Sequence, residues 1–139
     1  MSLAEVAGFR ALLEGRGFDV YVGEVTSSDP DMRSGLVRRY ALILSTYSPD
    51  LQVRHTGSRA PRQASFVVHS YGKTFEESGW LDDKIDSILR PRGWGVVPTV
   101  EGRRCQRIFR DSHFGPDQEN DGARLWDAIA EYSFMSYPK

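Results

Sequence analysis

His55, His69 and His113 are the only histidines of this chain, so imidazole acid–base or ligand chemistry would fall to them alone. His55 and His113 lie in stretches that read as loops. His69 lies in the strand-like run Ala64–Tyr71, where a half-buried, hydrogen-bonded imidazole is the ordinary occupant. Asp82, Asp83 and Asp86 supply the oxygen ligands a hard cation takes. On a helix, however, Asp82 and Asp86 fall on the wet face with Lys84 between them, the pattern of a solvated surface. No glycine-rich phosphate loop follows a strand, since Gly15-Arg16-Gly17 precedes one. Ser45, Ser65 and Ser70 lack a nucleophile elbow. Cys105 stands alone, which excludes an internal disulfide and a cysteine-based zinc site. The expectation is therefore a protein with no catalytic residues, no metal site and no cofactor.

The distribution of charge says more than the net value of −1. Between Arg33 and Arg62 lie Arg33, Arg38, Arg39, Arg54, Arg59 and Arg62 against Asp50; between Arg90 and Arg110 lie Arg90, Arg92, Arg103, Arg104, Arg107 and Arg110 against Glu101. From Asp111 to Glu131 the balance reverses, with Asp111, Asp117, Glu119, Asp121, Asp127 and Glu131 against Arg124. Such asymmetry within a small domain points to surfaces that face something charged, either nucleic acid or a complementary protein surface. A nucleic-acid-binding module would use the arginines with Tyr40, Tyr47, Phe66 and Trp94. Against it, strand packing accounts for the aromatics, and no readout motif is present. The candidate interface residues are Arg54, Arg59, Arg62, Trp94, Arg104, Asp117, Glu119 and Trp126.

The elements that must position these residues centre on Ala64–Leu89. A strand-like run ends at Tyr71-Gly72, and Thr74-Phe75-Glu76-Glu77 forms a capping box that opens a helix. Leu81, Ile85, Ile88 and Leu89 make its apolar stripe, with Glu76, Asp82, Asp83, Lys84 and Asp86 expected on the wet side. Upstream, Ser2-Leu3-Ala4-Glu5 reads as a second capping box, followed by the stripe Leu3, Val6, Phe9, Leu12, Leu13. Phe18–Val25 reads as a strand, and Leu36–Thr46, apolar on both faces through its second half, as a central one. Residues 51–63, with Gly57 and Pro61, read as a basic projecting arm.

After the helix, Pro91 and Gly93 stop the pattern. Trp94–Pro98 reads as a short strand or edge piece, Arg103–Arg110 as a further run, and Ser112–Gly122 as a polar acidic loop. Ala123–Tyr137 divides nearly evenly between helical and strand periodicity. Its aromatic content and the preceding Gly122 favour a strand antiparallel to Arg103–Arg110. With 139 residues, 40% of them hydrophobic, the chain suffices for one domain, 1–139. Its expected order is α-β-β-β-α-β-β, an α+β fold whose mostly antiparallel sheet is covered on one face by two helices. No apolar run reaches the roughly 18 residues of a membrane span, and no signal-peptide pattern opens the chain, so it is expected to stay in the cytosol.

In this order of elements the chain resembles the tail terminator proteins of long-tailed bacteriophages, particularly those of phages of actinobacteria. The resemblance is carried by the opening helix with Phe18-Asp19-Val20-Tyr21-Val22-Gly23-Glu24-Val25 and by the strand ending at Tyr71-Gly72 with the helix around Trp80-Leu81-Asp82-Asp83-Lys84-Ile85. Gly102-Arg103-Arg104-Cys105 and the closing strand from Ala128 to Ser136 complete it. It implies a virion structural protein, assembled in the host cytoplasm as a ring, typically a homohexamer, on the head-proximal end of the tail tube. Such a ring ends tube growth and joins the tail to a head-side connector or stopper protein, with DNA passing through the lumen unread. The tail tube protein and the connector would be its partners, with no membrane involved. A head-completion or stopper subunit of the same neck shares this size and ring symmetry and is the alternative. The arm at 51–63 and the acidic loop at 112–122 are where such proteins vary most, so contacts there do not carry over.

Overall fold

A computed structural model describes residues 3–23, 39–45, 61–118 and 125–139. Helix α1 (Leu3–Leu13) leads into β1 (Asp19–Val22), β2 (Tyr40–Ser45) and β3 (Arg62–Gly72). Helix α2 (Phe75–Leu89) follows, then a 3-10 turn (Pro91–Gly93), β4 (Arg103–Cys105), β5 (Phe109–Gln118) and β6 (Trp126–Pro138). The sheet runs β1-β2-β3-β6-β4, with β5 also on β6. Every pairing is antiparallel except β1 with β2. This is the expected α+β class, with one strand more than the sequence pattern implied.

The centre is the long pairing of β3 with β6, from Arg62↔Ser136 to Gly72↔Trp126. Because side chains alternate across a strand, Ala64, Phe66 and Val68 of β3 share one face with Phe134, Tyr132 and Ala130 of β6, and all are buried. Both helices lie on that face. Phe9 of α1 stacks on Phe66 at 4.2 Å between centroids, and Leu81, Ile85 and Leu89 of α2 complete the core. Each such aliphatic side chain contributes about 1.5–3 kcal/mol by leaving water. Within the stretch of nearly even periodicity, Trp126–Pro138 is strand: Ala128, Ala130, Tyr132, Phe134 and Ser136 alternate into the core, and residues 123–124 lie outside the described residues.

Helix α2 begins where the sequence placed it. The Glu77 amide donates to Thr74 Oγ1 at 3.1 Å, but the Glu77 carboxylate reaches one residue further back and accepts from the Lys73 amide at 2.9 Å. A Cβ on Gly72 would lie 2.7 Å from the Ser78 amide nitrogen, so glycine is what lets β3 run directly under the helix.

Several boundaries differ from expectation. Residues 112–118, expected in an acidic loop, belong to β5, whose register shifts between Arg110 and Ser112 and between Phe114 and Asp117 interrupt the alternation that would have marked a strand. Trp94–Pro98 is not a strand; the segment is extended and tied by Val96 N–H to the Leu89 carbonyl (2.8 Å) and Ile108 N–H to the Val96 carbonyl (3.0 Å). In α1 the buried stripe is Glu5, Gly8, Phe9 and Leu13, with Leu3 exposed. Asp82 and Asp86 are not on a wet face: Asp82 is buried and Asp86 half-buried, because β5 covers that flank of α2. The expected arm lies outside the described residues from 51 to 60; Arg62 and Gln63 are the first residues of β3.

Candidate assembly surfaces

Two buried polar clusters set the geometry of the surfaces around them. In the first, Glu5 is wholly buried, with its Oε1 3.5 Å from Arg62 and 3.7 Å from Arg103. Arg103 also donates to Ser136 Oγ and to the Ser136 carbonyl, both at 2.8 Å. A buried carboxylate is tolerated only with such partners. The cluster ties α1 to the end of the β3–β6 pairing and to β4. Cys105 lies beside it in β4, half-buried, its thiol pushed up chiefly by that burial.

The second cluster clamps β5 onto α2. His113 Nε2 lies 2.6 Å from Asp82 Oδ2, and Arg110 lies 3.1 Å from Asp86. Asp86 also accepts from Arg90 Nε (2.8 Å) and from the Tyr132 hydroxyl (3.1 Å). Burial pushes the Asp82 carboxyl up, against the pull of His113 and Arg110. Burial works on Asp86 in the same sense, but bonds from Arg90 and the charge of Arg110 outweigh it and hold that carboxyl below the usual range. The Tyr132 hydroxyl is pushed far up, first by burial and then by the Asp86 charge. Both clamped carboxylates are thus spent on cations or hydrogen-bond donors of the fold itself. On the sheet face opposite α1 and α2, His69 Nδ1 lies 2.9 Å from Asp127, the half-buried and satisfied imidazole that its strand position implied.

The clamp leaves a groove of about 540 Å³ where the end of α2 meets the start of β5, lined among others by Trp94, Val97, Arg107 and Phe109. Its floor is set by Gly95, whose missing side chain admits the Ile108 backbone: a Cβ there would overlap the Ile108 carbonyl oxygen. Trp94 is 67% exposed and Phe109 60%, and the Arg107 guanidinium sits over the Trp94 ring at 4.6 Å. Of the six arginines from 90 to 110, Arg90, Arg103 and Arg110 are paired with acids, whereas Arg92, Arg104 and Arg107 are exposed and make no ion pair among the described residues. Further along β5, Phe114 is 59% exposed beside Asp117, with Glu131 two positions from its cross-strand partner Ile129.

Of the residues expected at an interface, Trp94 lines the groove, Arg104 is exposed on β4, and Asp117 is exposed on β5. Trp126 is half-buried, its ring edge-on to Phe75 at 5.6 Å. Arg62 is not free in an arm; it is half-buried against Glu5. Arg54, Arg59 and Glu119 lie outside the described residues. Val97, Arg107, Phe109 and Phe114 are not among the residues that the sequence marks for an interface, although Arg107 belongs to the basic stretch Arg90–Arg110. For the two phenylalanines the missed signal is a strand whose alternation is broken by bulges.

The fold defined here, a mostly antiparallel sheet with α1 and α2 on one face, recurs in solved structures. No family model matches the chain, and no curated protein matches its sequence. Its fold is similar to that of a chain in the virion of a native gene transfer agent particle, with a TM-score of 0.58 at 11% identity over 93% of this chain and 84% of that one. A second solved structure aligns with a TM-score of 0.60 at 14% identity over 100% of this chain and 99% of the other. At such identities the likeness is one of fold.

Proposed function

We propose that this chain is a structural protein of a phage-like virion, a tail terminator that forms a ring, of six subunits, at the head-proximal end of the tail tube. The observation that carries the proposal is the end-to-end likeness of fold to a chain from a virion particle, over 93% of this chain and 84% of that one. It coincides with the order of elements that resembles tail terminators. The surface supports an assembly role: Trp94, Val97, Phe109 and Phe114 are each more than half exposed on a domain of 139 residues, and exposed apolar patches of this kind mark contact sites. In this role the ring stops tube polymerisation, presents its outer rim to the head-side connector or stopper, and lets DNA pass without specific contact. The histidines and acids near α2 then act as clamps of the fold, not as catalysts. No helix among the described residues is long and apolar enough to cross a membrane.

The test is electron microscopy of a phage lysate made without this protein. Overlong or headless tails are expected. Filled heads that lack tails would overturn tail termination in favour of a head-side ring protein such as a head-completion or stopper subunit.

A further inference from the structure

We propose that the Trp94 groove receives Phe114 of a second copy of this chain, so that each subunit carries both halves of one head-to-tail contact. The inference rests on the ring reading above and assigns its surfaces. A ring requires heterologous contacts, in which two unlike patches of each subunit meet, and β5 carries two such patches along its length. At its start, Phe109 lines the groove with Trp94 and Val97, and the exposed charge that lines it is Arg107, whose guanidinium sits over the Trp94 ring. Further along, Phe114 stands out among acids. Asp117 follows it in the strand, and Glu131, paired with Ser112, lies on the neighbouring stretch of β6. Asp111, Asp117 and Glu131 are exposed and make no ion pair among the described residues.

The two patches are complementary in both respects that decide a contact. One is a concave aromatic groove that carries the Arg107 guanidinium; the other is an exposed aromatic ring with Asp117 and Glu131 near it. An aromatic anchor seated in a pocket supplies most of the affinity of such an interface, and the charges choose orientation and exclude the same patch on the partner, since basic would face basic. A self-pairing of two identical grooves would bring the two copies of Arg107 together. The groove–Phe114 pairing instead brings Arg107 towards Asp117 and Glu131 of the next copy.

Four purified proteins test this by light scattering: the parent, Trp94→Ala, Phe114→Ala, and an equimolar mixture of the two variants. Both rings are more than half exposed, so the variants are expected to keep the parent's circular dichroism and melting temperature. Each variant alone should lose self-association by about thirtyfold or more, the scale of a central aromatic anchor. In the mixture the Trp94→Ala subunit still offers Phe114 and the Phe114→Ala subunit still offers its groove, so a one-to-one dimer should form and nothing larger. Variants that assemble like the parent, or a mixture that stays monomeric, overturn the surface assignment while the ring reading stands. A parent that is monomeric at every concentration and salt, and also with purified tail tubes, overturns both. If Arg107→Glu assembles normally but loses binding to a single-stranded oligonucleotide, the groove belongs to nucleic acid and the inference fails.

Discussion

Replacing Gly95 by alanine should unseat the floor of the groove while leaving the helices and the central strands in place. A Cβ at that position would overlap the Ile108 carbonyl oxygen and lie 2.7 Å from the Ile108 carbonyl carbon and amide nitrogen. All three are backbone atoms, so no side chain can swing aside. Relief requires moving residues 94–97 away from 106–109. Overpacking of this kind costs about 1–3 kcal/mol. The Ile108 N–H bond to the Val96 carbonyl, 3.0 Å long, is strained or lost in the process, adding about 1 kcal/mol. A total of about 2–4 kcal/mol is a large share of the roughly 5–15 kcal/mol that holds such a domain together. The melting temperature should fall by roughly 10 °C. Gly93→Ala is the control: φ is 82° there and no atom lies within 4 Å of its Cβ, so only the left-handed backbone cost of about 1–2 kcal/mol applies. Urea unfolding followed by circular dichroism measures both. If Gly95→Ala unfolds at the same urea concentration as Gly93→Ala, the close approach of residues 95 and 108 is not real and the groove loses its structural basis.

Other variants test the core and the two polar clusters. Ile85→Ala should cost about 2–5 kcal/mol as a fully buried aliphatic, and a melt that overlays the parent would remove α2 from the core. Glu5→Ala leaves Arg103 buried without its acid and should cost about 3–5 kcal/mol, with Glu5→Gln costing less; equal thermal melts for the three proteins would refute the pairing. Asp86, held below the usual carboxylate range, stabilises the fold above that range and loses its contribution as pH falls through its folded value. Asp86→Asn should therefore cost about 1–3 kcal/mol at neutral pH and flatten the acid limb of the stability profile. Asp82 has the opposite sign: its raised value favours the protonated form, so its contribution is present at low pH and is lost as pH rises through the folded value. Asp82→Asn should accordingly cost less than Asp86→Asn in urea melts at pH 7, and the reverse order would refute the assignment of burial as the dominant influence on Asp82.

Much of the fold was legible in one dimension because its signals are local. The Thr74 cap, the Leu81–Ile85–Leu89 stripe and the apolar second half of β2 each depend on residues a few positions apart, and periodicity reports burial directly when one face of an element meets one core. The closing strand was legible from its aromatics once helical periodicity failed to prevail. The acids of α2 were misread for a physical reason. Asp82 and Asp86 lie off the apolar stripe, and what buries them is β5, which reaches them through His113 and Arg110 from about 25 to 30 residues away in sequence. No local pattern encodes that contact. The same holds for Glu5, which looks like a capping acid until Arg62 and Arg103 arrive from β3 and β4.

The candidate surfaces divide along the same line. Sequence alone determined that arginines crowd residues 90–110 and acids 111–131, and that no motif for catalysis or metal binding accompanies them. Which of those charges remain available was decided only by tertiary structure. Buried or half-buried acids must find cations, so Glu5 takes Arg103 and Asp86 takes Arg90 and Arg110, leaving Arg92, Arg104 and Arg107 exposed, with Arg107 over the Trp94 ring.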